Sequence, residues 1–170
     1  VVIEDGDTRI VDYLSEDRDY MVTKEAKGED ALAQQYLNNP EKLCEVLAEA
    51  MKYLHSRPIE DVPVSACMDI YAKGENAGKL KQDTFIHGDF CLPNVFFKDD
   101  RVAGYLDLGF CAVADRYQDV ALCYRSLTHN ADGSYGVVYP NVRPEALFDA
   151  LRITPDWEKI RYYILLDELF

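Results

Sequence analysis

His87-Gly88-Asp89-Phe90-Cys91-Leu92-Pro93-Asn94, followed by Asp107-Leu108-Gly109, decides how this chain is read. The stretch supplies an Asp and an Asn five positions apart, then a second Asp thirteen positions further on. Asn94 and Asp107 offer hard oxygen ligands of the kind that suit Mg²⁺. Pro93 restrains the turn before Asn94. Gly88 and Gly109 are expected where the backbone approaches closely or takes unusual dihedrals. Between Asn94 and Asp107, residues 95–97 and 102–106 read as strands joined by Lys98-Asp99-Asp100-Arg101. A β-hairpin there folds the two candidate ligands back toward each other, so a separation in sequence becomes a shared site.

On the N-terminal side, residues 1–24 read as strands with turns at Asp5-Gly6-Asp7 and Ser15-Glu16-Asp17. Residues 24–28 form a short connector, and a helix is expected near 30–37. Asn39 can cap a longer helix and Pro40 fits its first turn. Leu43, Val46, Leu47, Ala50, Met51 and Leu54 share one face of it as core, and Arg57-Pro58 ends it. Residues 58–83 are polar and irregular, with a short helix near 68–72, and 84–86 lead into the motif. On the C-terminal side a helix is expected over 115–127, a loop over 129–141 and a helix over 144–151. Thr154-Pro155-Asp156 opens a last helix that runs from Trp157 to the end.

At 170 residues one domain is the default, and the chain can bury a real core. The formal charge of −13 repels phosphate backbones, which argues against nucleic-acid partners. A cationic ligand would be drawn in wherever acids gather around a cleft. The five cysteines are odd in number and form no C-x-x-C pair, which argues against a disulfide framework or a zinc site. Reduced thiols in a cytoplasmic protein fit best. No apolar run approaches membrane-spanning length and no signal peptide opens the chain. The chain begins Val1-Val2-Ile3 without a Met, so Val1 is not expected to be the natural start.

The Asp-Asn-Asp spacing resembles that of protein kinases, where H-R-D and four spacers precede an Asn and then D-F-G. That resemblance implies phosphoryl transfer. Asp89 would accept or orient the acceptor hydroxyl, and Asn94 and Asp107 would hold Mg²⁺ against the nucleotide phosphates. His87 reads as a structural ring that holds the loop, His55 as a cap or core residue and Cys91 as a packed thiol. His129 has no evident role.

A more specific resemblance rests on residues 87–94 (HGDFCLPN), 104–109 (GYLDLG), 114–121 (ADRYQDVA) and the ending Asp167-Glu168-Leu169-Phe170. Together they resemble the aminoglycoside phosphotransferases, in particular the 3′-O-phosphotransferase type. The resemblance covers about residues 20–170. It implies an α+β, protein-kinase-like fold. Residues 1–24 would be the last strands of the N-terminal nucleotide-binding lobe, 25–30 the hinge and 31–170 the helical catalytic lobe. Within it, Thr23, Lys24, Glu25 and Ala26 match the hinge that would bind adenine of ATP or GTP. Asp119 matches an Asp that steadies the catalytic loop. Asp167, Glu168 and the Phe170 carboxylate match the end that binds the amino sugar, where carboxylates suit ammonium groups.

Phe110 stands where many relatives carry Arg, which leaves substrate range and efficiency open; Arg116 is a candidate replacement. Glu75, Asp83 and Asp132 are candidate cleft residues, but a solvated loop suits each better. The phosphate-covering loop and the Lys–Glu pair of a complete kinase are not identified in these residues, so little turnover is expected from them alone. Two other readings stay open. One is a kinase for choline, a macrolide or another alcohol. The other is a pseudokinase-like fragment that binds a cation without chemistry. The oligomeric state is left undetermined.

Overall fold

The computed structural model describes residues 13–16, 21–23, 26–60, 62 and 80–169. Strand β1 (Tyr13–Glu16) pairs antiparallel with β2 (Met21–Thr23). Ser15 and Glu16, expected in a turn, are therefore strand residues, and a bulge between Tyr13 and Ser15 adjusts the register. The expected strands over 1–3 and most of 8–13 lie outside the described residues, as does the short helix near 68–72.

The hairpin forms where the spacing predicts it. Strand β5 (Val95–Lys98) pairs with β6 (Arg101–Tyr105). Asp99 and Asp100 both take the left-handed conformation, with φ of 51° and 58°, as a tight two-residue hairpin turn requires. Below the paired rungs, the Leu106 amide donates to the Asn94 carbonyl at 2.9 Å. That bond extends the ladder to the foot of the hairpin and holds Asn94 close to Asp107.

One element changes type. Glu29–Asp30 is a strand (β3) on the outer edge of β5, not the start of a helix. The Asp30 carboxylate accepts from the Leu32 amide at 3.0 Å, a local turn that competes with helix. Only Gln34–Leu37 is helical (α1). Helix α2 (Pro40–His55) follows, capped by the Asn39 side chain on the Lys42 amide. Its expected apolar face is buried without exception. Removing one of these side chains, as in Leu47→Ala, costs roughly 2–5 kcal/mol. The Tyr105 hydroxyl donates to the Ala50 carbonyl at 2.7 Å and ties the hairpin to this helix.

Strand β4 (Thr84–Ile86) pairs antiparallel with β7 (Ala112–Ala114). The second strand was not expected from the sequence. Helix α3 (Tyr117–Asp132) runs one turn further than expected and ends where Gly133 takes φ 84°. The loop therefore starts at 133, not 129. Helix α4 (Ala146–Leu151) begins after Pro144-Glu145, which remain in a turn. Helix α5 (Trp157–Asp167) is capped by the Asp156 side chain on the Lys159 amide. It packs along α3, while α4 packs on α2.

Two buried or half-buried ion pairs dock α5. Lys159 lies 2.5 Å from Asp115, which also accepts from the Lys81 and Tyr117 amides. Arg125 on α3 lies 2.6 Å from Asp167. Among the described residues, no helix is long and apolar enough to cross a membrane.

Candidate active site

The β4–β7 ladder sets the site. It places Ile86 opposite Ala112, so the next residues, His87 and Gly88, come against Phe110 and Cys111. Gly88 has φ 87°, and a Cβ there would sit 2.3 Å from the Phe110 carbonyl oxygen. A side chain at this position has nowhere to go. Gly109 differs: its φ is not positive and a Cβ would meet nothing within 4 Å, so the expected close approach is absent there.

Asp119, fully buried in the first turn of α3, lies under this loop. Its two oxygens accept from the His87 and Gly88 amides, both at 2.9 Å. His55 Nε2, from the end of α2, lies 2.9 Å from the same carboxylate. Gln118 donates to the Gly88 carbonyl at 3.0 Å. A buried carboxylate with three partners is a rigid joint, because losing any of them strands polar atoms away from water.

The His87 ring is wholly buried against the edges of Phe90 and Tyr105. Its Nδ1 accepts from the Asp89 amide at 3.3 Å. Burial lowers its pKa, and the charges of Asp119 and Asp89 oppose that shift only in part. A neutral ring in this place suits a hydrogen-bonded strut.

Asp89 is half-buried. Asn94 Nδ2 lies 3.0 Å from its carbonyl and 3.1 Å from Oδ2, and Cys91 Sγ lies 2.9 Å from Oδ1. With its amide nitrogen so committed, Asn94 has its Oδ1 left to face a ligand. Asp107 is exposed and takes the left-handed conformation, φ 56° and ψ 50°. Among the described residues no three His, Cys, Asp or Glu side chains cluster as a metal site. An Asn and an Asp alone fit Mg²⁺, which keeps waters and takes its other oxygens from phosphates.

A cavity of about 870 Å³ gathers Gly88, Asp89, Asn94, Asp107 and Phe110 on one side and Arg125, Leu166 and Asp167 on another. Tyr135, Val137 and Tyr139, from the segment after α3, form an apolar wall. Asp167 thus reaches the same space as the motif. Glu168 caps α5, is exposed and does not line the cavity. Thr23 ends β2 and Ala26 is half-buried, while Lys24, Glu25 and Phe170 lie outside the described residues. Asp83 and Asp132 are exposed and bond to neighbouring hydroxyls, away from the cavity; Glu75 lies outside the described residues. Arg116 is also exposed and does not line it.

Residues 66–163 match the family described as the phosphotransferase enzyme family, APH. The chain belongs to the aminoglycoside phosphotransferase family. It is 34% identical to an aminoglycoside 3′-phosphotransferase of Enterococcus faecalis over 78% of its own length. It is 30% identical to one of Streptomyces fradiae over 95% of its length. It spans 60% of the Enterococcus protein and 72% of the Streptomyces one. The solved structure of an aminoglycoside-3′-phosphotransferase of type VIII superposes with a TM-score of 0.72 at 22% identity, over 96% of this chain and 74% of that one. A Streptomyces rimosus phosphotransferase solved with ADP and streptomycin gives 0.64 at 22% identity, over 95% of this chain and 75% of that one. The fold is therefore protein-kinase-like, as expected.

Several partners within this phosphotransferase fold were not visible beforehand. Arg125 carries no motif; an unmatched cation on α3 facing an acidic terminal helix was the available signal. The His55 bond to Asp119 joins residues 64 positions apart. Cys91, whose sequence context marks it only as a packed thiol, touches the Asp89 carboxylate.

Proposed function

We propose that the whole protein transfers the γ-phosphoryl group of ATP to a hydroxyl of an aminoglycoside, the 3′-hydroxyl by analogy with its relatives, and so confers resistance. One observation carries this reading: Asp89, Asn94, Asp107 and Asp167 open onto one cavity. The names of the relatives support the acceptor class. The structure solved with ADP supports nucleotide use. GTP is a second donor to test.

The acceptor oxygen forms a bond to the γ-phosphorus as the bond to the β–γ bridging oxygen breaks, and ADP leaves. Asp89 takes or orients the hydroxyl proton. Asn94 and Asp107 would hold Mg²⁺, whose charge offsets that of the phosphates when it is bound. His87 and Asp119 keep the loop in place. Residues 25–30 serve as the hinge between residues 1–24 and the catalytic lobe, 31–170, and Thr23, Lys24, Glu25 and Ala26 bind adenine there. Asp167 receives an ammonium group of the sugar, and by the family resemblance alone Glu168 and Phe170 belong to the same substrate-binding end. Arg125 occupies one oxygen of Asp167 and leaves the other for the substrate. Use of ATP and free thiols support a cytoplasmic location.

A coupled assay of the full-length protein with ATP or GTP, against aminoglycosides, choline and macrolides, tests the reading. Turnover is expected with aminoglycosides. Asp89→Ala should reduce it by roughly a thousandfold while calorimetry still detects aminoglycoside binding. Turnover with choline or a macrolide alone would overturn the acceptor class. Normal turnover in Asp89→Ala would remove Asp89 from the mechanism.

A further inference from the structure

The carboxylate of Asp89 has a separate donor on each oxygen. Asn94 Nδ2 lies 3.1 Å from Oδ2, and Cys91 Sγ lies 2.9 Å from Oδ1. The terminal torsion of an Asp is broad and nearly two-fold, so one donor alone leaves the group free to rock. Donors on both oxygens select one plane.

Cys91 is itself well held. Its amide donates to the Asp89 carbonyl at 2.9 Å, and its carbonyl accepts from the Asn94 amide at 3.0 Å. The following residue is pinned by the Leu92 amide on the Ser126 hydroxyl at 3.2 Å. Cys91 lines the cavity with Asp89. A cysteine thiol ordinarily keeps its proton at neutral pH, so this S–H is available to donate to Asp89. A packed thiol needs no particular partner; this one donates to the Asp89 carboxylate and also meets the Arg125 side chain.

We infer that Cys91 is a positioning residue for phosphoryl transfer, its S–H fixing the Asp89 carboxylate in the plane that meets the acceptor hydroxyl. The kinetic consequence rests on the proposed role of Asp89; the contact itself does not. The full-length protein and its Cys91→Val and Cys91→Ser variants separate positioning from packing. Valine keeps similar bulk without a donor, and serine restores a donor. Cys91→Val should lower kcat roughly tenfold with KM within about twofold, and Cys91→Ser should recover most of the loss. Unchanged kcat in Cys91→Val overturns the inference.

Infrared spectra provide a readout that needs no turnover. The S–H stretch lost in Cys91→Ser should lie below that of a free thiol, and Asp89→Asn should move it upward. A band at the free-thiol position, unmoved by Asp89→Asn, overturns the contact. If the wild-type protein phosphorylates no acceptor, the functional reading fails while the spectra still decide the contact. If Cys91→Val does not fold, the spectra and Cys91→Ser decide it.

Discussion

The loop from His87 to Asn94 and the last turn of α5 face one cavity, yet they are held in different ways. The loop hangs from a fully buried carboxylate with three hydrogen-bond partners and is closed by a glycine that admits no side chain. The helix end presents Asp167 through one half-exposed pair with Arg125 and leaves Glu168 in solvent. Chemistry demands fixed geometry, because misplacement of reacting groups by about an ångström is costly in rate. Under the proposed function, recognition of a flexible cation by Asp167 tolerates a looser support.

Removing the joint under the loop should give the largest effect on this contrast. Asp119→Ala strands the His87 and Gly88 amides and leaves His55 without its partner. A loss of about 3 kcal/mol in stability is expected in denaturant titrations, with kcat falling about a hundredfold. If kcat survives the change, the loop does not depend on its buried support.

A smaller effect is expected at the other end. Asp167→Asn should raise KM for aminoglycosides about tenfold and leave kcat within about twofold. A fall in kcat at unchanged KM would place Asp167 with the chemistry and erase the distinction. The smallest effect concerns pH. Unfolded, His87 takes a proton near its ordinary value of 6.5; folded, burial holds its pKa lower. Between the two values the unfolded chain binds the extra proton. The contribution of the neutral ring to stability is thus complete above that window and is lost as pH falls through it. Thermal melts between pH 7.5 and 5 should show this loss, and Glu168→Gln should not alter it. A melting temperature that rises as the pH falls would contradict the neutral ring.

Local signals made part of this legible. A tight turn between two apolar runs marked the hairpin, and a cap, a proline and a helical stripe marked α2. The approach of Asn94 toward Asp107 followed from the hairpin. The rest depended on contacts between distant segments. Strand β7 is three residues long and exists only through β4, so its own sequence carries no alternation to detect. Glu29–Asp30 became a strand because the edge of β5 was open to them. Arg125 and His55 gained partners from other helices, which no periodicity reveals.

Asp107 adds a consequence of its own. A side-chain-bearing residue in the left-handed region carries about 1 kcal/mol or more of backbone strain that glycine would not. Asp107→Gly should therefore make the protein hardier while removing an oxygen from the proposed metal site. Selection for thermal endurance alone would drift toward such inert variants, and retention of an acid at this position would reveal selection for turnover.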